Sequence, residues 1–392
     1  MGVFAARTGW DLTPTRLAAA LAARREAGLP LFDLTESNPT RCGLLGGAEQ
    51  LLGALAHTAN LWYEPAPLGL ESARAAVARY YADKGAAVPL DRICLTASTS
   101  EGYAFLFRLL ADPGDEVLVP RPSYPLLDFL TGVNDVQLVP YPLVYDGAWR
   151  MDLDTLRQAA GPRVRAIVAV NPNNPTGSFV RAEERDALVD FSRERGLALI
   201  VDEVFGDYPF KGVDGAAPTL AGTAGALTFV LNGLSKVAAL PQMKLAWIAA
   251  SGPEDLVRPA LDRLEVIADT YLSVGTPIQR ALPPILAARS DIQQKVLARL
   301  RANWKTLTDR LARGGPVEAL HTEGGWYAIL RLPAVQDDEA WALRLLDEDG
   351  VHVHPGYLFD FPDPGHMVVS LLPSEEIFAE GVARLLARAP VA

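Results

Sequence analysis

Lysine is scarce in this chain: Lys84, Lys211, Lys236, Lys244, Lys295 and Lys305 are the full set in 392 residues, and arginine carries most of the positive charge. Acids outnumber bases to a net charge of −11, which argues against the broad basic surface that nucleic-acid binding by counterion release requires. A small-molecule partner is the better expectation. Only two cysteines occur, and Cys42 and Cys94 stand far apart without His or Cys neighbours at ligand spacing. Neither a disulfide framework nor a zinc site is expected, and a reducing cytoplasm is. No run of about 18 apolar residues is present, and the start, MGVFAARTGWDLTPTRL, lacks a charged segment followed by an apolar core. Membrane insertion and export are therefore not expected.

What the chain does contain is regular punctuation by Gly and Pro between short apolar runs, without internal repeat or low-complexity linker. Runs at 116–120, 165–170, 197–201, 226–231 and 245–250 read as buried strands. Between two of them, RAEERDALVDFSRERG at 181–196 sets Leu188, Val189 and Phe191 among charges, with Gly196 as a stop, which predicts a helix. Strand, helix, strand of this kind predicts an α/β fold with a mostly parallel sheet flanked by helices. Ligands of such sheets sit beyond the carboxyl ends of the strands. The residues just after the runs suit that position: Asn171 to Gly177, Asp202 with Glu203, and Asn232 to Lys236.

The pattern changes after about residue 285, to a long amphipathic helix, the short strands GWYAILRL and GVHVHP, and a final helix near EEIFAEGVARLLARA. The expected organisation is an N-terminal arm and small-domain segment over 1–45, a large domain over 46–285 and a smaller α+β domain over 286–392. His352 and His354 alternate in GVHVHP with no third ligand nearby, so they read as packing or cleft-lining residues rather than a metal site.

Lys236 lies in LNGLSKVAALPQMK, directly beyond an apolar strand and among few other charges. A lysine partly removed from water has a lowered pKa and supplies the neutral amine that Schiff-base chemistry needs; a surface lysine in a loop fits the segment as well. Lys244, eight positions on, brings a second cation, and a phosphate would reconcile the two. Asp202 ends LALIVDEVF, where an acid either caps a helix or meets a cation. NPNNPTG, 171–177, holds Asn174 between two prolines; it is a stiff loop with an amide to offer, or a plain turn. In LTASTSEGYAFLFRLL, Ser98, Thr99 and Ser100 precede a helix, whose first amides and dipole favour an anion, although such a sequence also serves as a mere cap. Tyr124, in PRPSYP, can stack on a flat ring or simply pack.

Taken in this order along nearly the whole chain, the S-T-S turn, P-x-x-Y-P, N-P-x-N-P-T-G, D-E-x-F and S-K with a cation eight residues later resemble the class I and II aminotransferases. Those are pyridoxal 5′-phosphate (PLP) enzymes of fold type I, the aspartate aminotransferase fold, whose large domain carries a seven-stranded-type sheet. The resemblance implies that Lys236 forms the Schiff base with the cofactor and shuttles the proton, Asp202 pairs with the pyridine nitrogen, and Asn174 approaches the phenolic oxygen. It also implies that Tyr124 stacks on the ring and that Thr99, Ser100 and Lys244 hold the phosphate; Ser98 and Ser235 are further cofactor-binding candidates. Tyr63, in YEPAPLGLESARAAVARYY, looks like the tyrosine that reaches the cofactor of a neighbouring subunit, which implies a homodimer with shared sites.

Four positions depart from the family pattern. Phe205 stands where a tyrosine donates to the phenolic oxygen, Gly233 where a serine contacts the phosphate, and Lys244 where an arginine is usual. In GHMVVSLL, Val368 takes the place of the arginine that grips the substrate carboxylate. Arg41 in ESNPTRCG and Arg331 in YAILRLP are the candidate replacements, with Ser37 and Asn38 as further substrate candidates in the first of these segments. The expected activity is an aminotransferase acting between an amino acid or amine and a 2-oxo acid. Other carbanion chemistry, such as β-elimination of a thiol, racemisation or amine oxidation, is the alternative. A PLP-sensing regulator would add a basic DNA-binding segment, and none precedes residue 10.

Overall fold

The computed structural model describes residues 3–45, 48–210, 215–333 and 335–389; Lys211 lies outside them. Its centre is an eight-stranded sheet in the order Ile93–Thr96, Ala246–Ser251, Thr228–Gly233, Ala198–Asp202, Val164–Val170, Glu116–Arg121, Gln137–Tyr145, Trp149–Met151. Neighbours from Thr228–Gly233 to Gln137–Tyr145 run parallel, whereas Ala246–Ser251 is antiparallel to both of its partners. The five apolar runs all lie in this sheet, and their side chains are buried on both faces because helices cover each side. Helix Ala182–Arg195 joins two of them as expected, closing on Gly196 at φ +65°.

The sheet is one strand wider than a seven-stranded one. After Gln137–Tyr145 the chain turns at Gly147 and returns as Trp149–Met151, pairing Tyr145 with Trp149. The strand Gln137–Tyr145 itself was not among the apolar runs, since Pro140 and Pro142 interrupt it. Proline is tolerated near the sheet margin, where ladder hydrogen bonds are fewer.

A second sheet, antiparallel throughout, orders Glu318–Ala319, Tyr327–Arg331, His366–Ser370 and His354–Pro355. The run GVHVHP is divided between two sheets, for Val351–His352 pairs parallel with Phe32–Asp33 near the N-terminus. His352 meets Asp33 at 3.2 Å, and His354 is pushed down to about 4 by burial and by the His352 charge. No group of three potential metal ligands occurs among the described residues. None of the helices there is long and apolar enough to cross a membrane.

The segment 320–326 stitches the second sheet to loops at the carboxyl end of the first. The Thr322 hydroxyl donates to the Thr176 carbonyl at 2.9 Å, the Phe210 amide to the Glu323 carbonyl at 2.9 Å, and the Gly325 amide to the Tyr208 carbonyl at 3.0 Å. Arg181 pairs with Glu323 in the same seam. At Gly177 the backbones approach so closely that a Cβ would lie 2.4 Å from the Gly324 carbonyl oxygen. Gly177 and Gly196 share nearly the same left-handed φ, +68° and +65°, but a Cβ on Gly196 meets nothing within 4 Å. Gly196→Ala therefore loses only the left-handed preference, about 1 kcal/mol. Gly177→Ala is expected to cost clearly more, read as a larger drop in thermal midpoint; equal drops in the two variants would mean that the seam is not closely packed.

Candidate active site

The strand ends of the large sheet open into a cavity of about 280 Å³. Ala198–Asp202 and Thr228–Gly233 are neighbours in the sheet, so Asp202 ends one strand while Lys236 follows the end of the next on the short helix Leu234–Val237. Both side chains line the cavity. Burial pushes Asp202 up to about 6, against the Val204 amide, the Tyr103 hydroxyl and the Lys236 charge, which favour the ionised form. Burial also pushes Lys236 down to about 8, opposed by Asp202. The two influence each other yet form no direct ion pair, which leaves room between them.

Each is held from behind. The Tyr103 hydroxyl donates to Asp202 Oδ2 at 3.3 Å and the Val204 amide to Oδ1 at 3.0 Å. The Lys236 ammonium lies 4.7 Å from the Trp326 ring centroid and 5.6 Å from that of Phe205, so aromatic faces take the place of water. Tyr208 donates to the Lys236 carbonyl at 2.5 Å, and Gln293 to the Val237 carbonyl at 2.8 Å. Gln293 also reaches Asp207, which pairs with Lys84 at 2.6 Å.

The cavity brings together most of the residues singled out in the sequence. Ser98, Thr99, Ser100, Ser235 and Lys244 lie on its wall, with Tyr124, Asn174, Phe205 and Ser37. Ser98 caps helix Thr99–Leu110 by accepting from the Glu101 amide at 3.1 Å, while the Thr99, Ser100 and Ser235 hydroxyls have no protein partner among the described residues. Lys244 likewise forms no ion pair there, and it takes a left-handed φ of +50°. These groups can hold a phosphate. The Asn174 side-chain oxygen is buried without a hydrogen-bond partner among the described residues, which leaves the side-chain amide available to a ligand. The set of an amine, an acid, an amide and an anion cradle fits PLP. Gly233 has a local reason: a Cβ there would lie 2.7 Å from that of its cross-strand partner Ala246.

Four candidates lie elsewhere. Arg41 is largely exposed and pairs with Glu36 at 3.5 Å, and Arg331 pairs with Glu318; neither borders the cavity. Asn38 spends its side-chain oxygen on the Thr40 amide and hydroxyl. Tyr63 is three-quarters exposed, beside exposed Leu61 and Trp62. Conversely, Tyr103, Ser123 and Tyr327 line the cavity without having been singled out. Tyr103 was signalled by its spacing, one helical turn after Thr99; Tyr327 and Trp326 reach the site only through the inter-sheet seam.

A family model described as aminotransferase class I and II matches residues 48–385. The chain is 26% identical over 372 residues to the glutamate-pyruvate aminotransferase AlaA of Haemophilus influenzae, covering 92% of this chain and 91% of that protein. It is 29% identical over 324 residues to an alanine aminotransferase of Mycobacterium tuberculosis, covering 81% and 75%. Among solved structures, alanine aminotransferase from Pyrococcus furiosus superposes with a TM-score of 0.88 at 23% identity, covering 98% of each chain, which is a likeness of fold.

The lowered Lys236 pKa predicts a pH-dependent stability of the cofactor-free protein. Its folded value, about 8, lies below the ordinary lysine value of 10.5, so below about pH 8 the folded state bears the whole cost of a buried charge. That cost disappears as pH rises from 8 towards 10.5, at most about 3 kcal/mol. Lys236→Met is accordingly expected to stabilise the protein near pH 7 and to lose that advantage by pH 10.5. A stability difference that stays flat with pH in urea titrations would show the amine to be solvated.

Proposed function

The chain belongs to the class I and II aminotransferases, and from that premise we propose how its cavity moves an amino group between an amino acid and a 2-oxo acid. The cofactor of this family is PLP, which when bound supplies an electron sink for the carbanion left at the substrate carbon. One observation carries the assignment of roles: Lys236, Asp202 and Asn174, far apart in sequence, face one cavity. Lys236, with a value near 8, is neutral in an appreciable fraction of molecules at working pH. Its Nζ would hold the cofactor covalently and would take and return the proton at the substrate carbon. Asp202 would pair with the pyridine nitrogen, whose positive charge would restore its ionised form. The Asn174 amide would donate to the phenolic oxygen, and Tyr124 would cover a ring face. The amides at the start of helix Thr99–Leu110, the hydroxyls of Thr99, Ser100 and Ser235, and Lys244 would hold the phosphate.

The reading extends to the assembly. Exposed Leu61, Trp62 and Tyr63 form an apolar stretch suited to a second copy of the chain, and Tyr63 would reach that copy's phosphate. Cys42 and Cys94 are buried thiols, which suits a reducing cytoplasm. The division at residues 45 and 285 makes the seam at 320–326 the border along which the two domains enclose the substrate. Relatives named for alanine, glutamate and pyruvate make those the first substrates to test.

Two substitutions test the roles. Lys236→Ala is expected to abolish amino transfer from alanine or glutamate while the protein still binds PLP. Asp202→Asn keeps the shape but not the charge, and is expected to lower kcat about a hundredfold or more. A kcat within threefold of wild type would place Asp202 away from the pyridine nitrogen.

A further inference from the structure

The carboxylate shared by an amino acid and its 2-oxo acid needs a partner in this cavity, and the cations on its wall are Lys236 and Lys244, both already assigned to the cofactor. Val368 is fully buried, in the apolar cluster that includes Ile329 and Phe359. In the second sheet Val368 pairs with Ile329, and Tyr327 lies two residues before Ile329 on the same strand. Side chains two apart on a strand share a face, so Tyr327 is the diagonal neighbour of Val368 on that face. Tyr327 therefore flanks position 368 on the face of the sheet that they share. Unlike Val368, Tyr327 does line the cavity, and so does Ser37 from the N-terminal segment.

On the aminotransferase reading of the cavity, we propose that the Tyr327 hydroxyl receives the substrate carboxylate in place of an arginine, with Ser37 positioning it. Ser37 stands beside the phenol on the cavity wall, and burial keeps the phenol protonated, with a value pushed up to about 12. The phenol lines the cavity wall, where its hydroxyl can donate to a ligand. A chain of two hydroxyls ending on an anion polarises in one direction, each bond strengthening the next. Edge-on packing against Phe205, with ring centroids 6.2 Å apart, fixes the ring plane. A neutral grip of this kind separates a carboxylate from an uncharged group less sharply than an arginine fork does. The site would therefore accept an amine lacking the carboxylate, with a reduced but measurable preference for the acid.

The holoenzyme is assayed with L-alanine and with ethylamine, the same donor without its carboxylate, and titrated calorimetrically with propanoate, which cannot react. Loss of a hydrogen bond to a charged group corresponds to about ten- to a hundredfold in binding. Tyr327→Phe is expected to raise the propanoate Kd at least about tenfold and to cut the alanine-to-ethylamine ratio in kcat/KM by a similar factor, through KM rather than kcat. Ser37→Ala, which acts through Tyr327, is expected to move both readouts in the same direction by a smaller factor. If both readouts stay within threefold in Tyr327→Phe, or if Arg41→Leu or Arg331→Leu reproduces the losses instead, the proposal is overturned. If wild type transfers no amino group from alanine or ethylamine yet binds propanoate through Tyr327, the choice of donor fails and the carboxylate grip stands.

Discussion

Two opposite charges buried at the ends of adjacent strands are the constraint around which this molecule is arranged. Asp202 and Lys236 each give up water, and each is shifted towards its neutral form, so neither is stable where it sits without help from its surroundings. The help is specific. Tyr103 and the Val204 amide support the acid, Trp326 and Phe205 face the amine, and Tyr208 and Gln293 fix the backbone of the short helix that carries it. A group with a cationic nitrogen at one end and a carbonyl for the amine at the other would satisfy both charges at once, which is what PLP offers.

That arrangement requires the two sheets to be held in register. Tyr327 opens a strand of the second sheet and Trp326 directly precedes it, yet they face residues that follow strands of the first, and the seam through Thr322, Glu323 and Gly325 is what brings them there. The close approach at Gly177 pins the same loop that carries Asn174. Residues of the cavity wall thus come from different layers, joined by backbone hydrogen bonds together with the Thr322 hydroxyl and the Arg181–Glu323 pair.

The large sheet and the cofactor side of the cavity were legible in the sequence because each depends on local pattern. Apolar runs mark buried strands, and polar residues just beyond them mark their carboxyl ends, so Lys236, Asp202 and Asn174 could be located without knowing how the strands pair. The strand Gln137–Tyr145 was hidden by its two prolines, and GVHVHP was read as one strand although its halves pair with different partners. The substrate side was less legible for a different reason. Arg41 and Arg331 carry the expected charge, but their ion pairs with Glu36 and Glu318 are set by tertiary placement, which spacing does not encode. Tyr327 carries no charge and stands out only once Val368 is seen beside it across the strand pair.

The account rests on Lys236 being the amine that meets the cofactor, and the chain's short list of lysines makes this directly measurable. Protein reconstituted with PLP, reduced with borohydride and digested should carry the pyridoxyl group on the peptide containing Lys236 and on no other. Label on the peptide of Lys244, Lys84 or any other lysine, with Lys236 unmodified, would contradict the account.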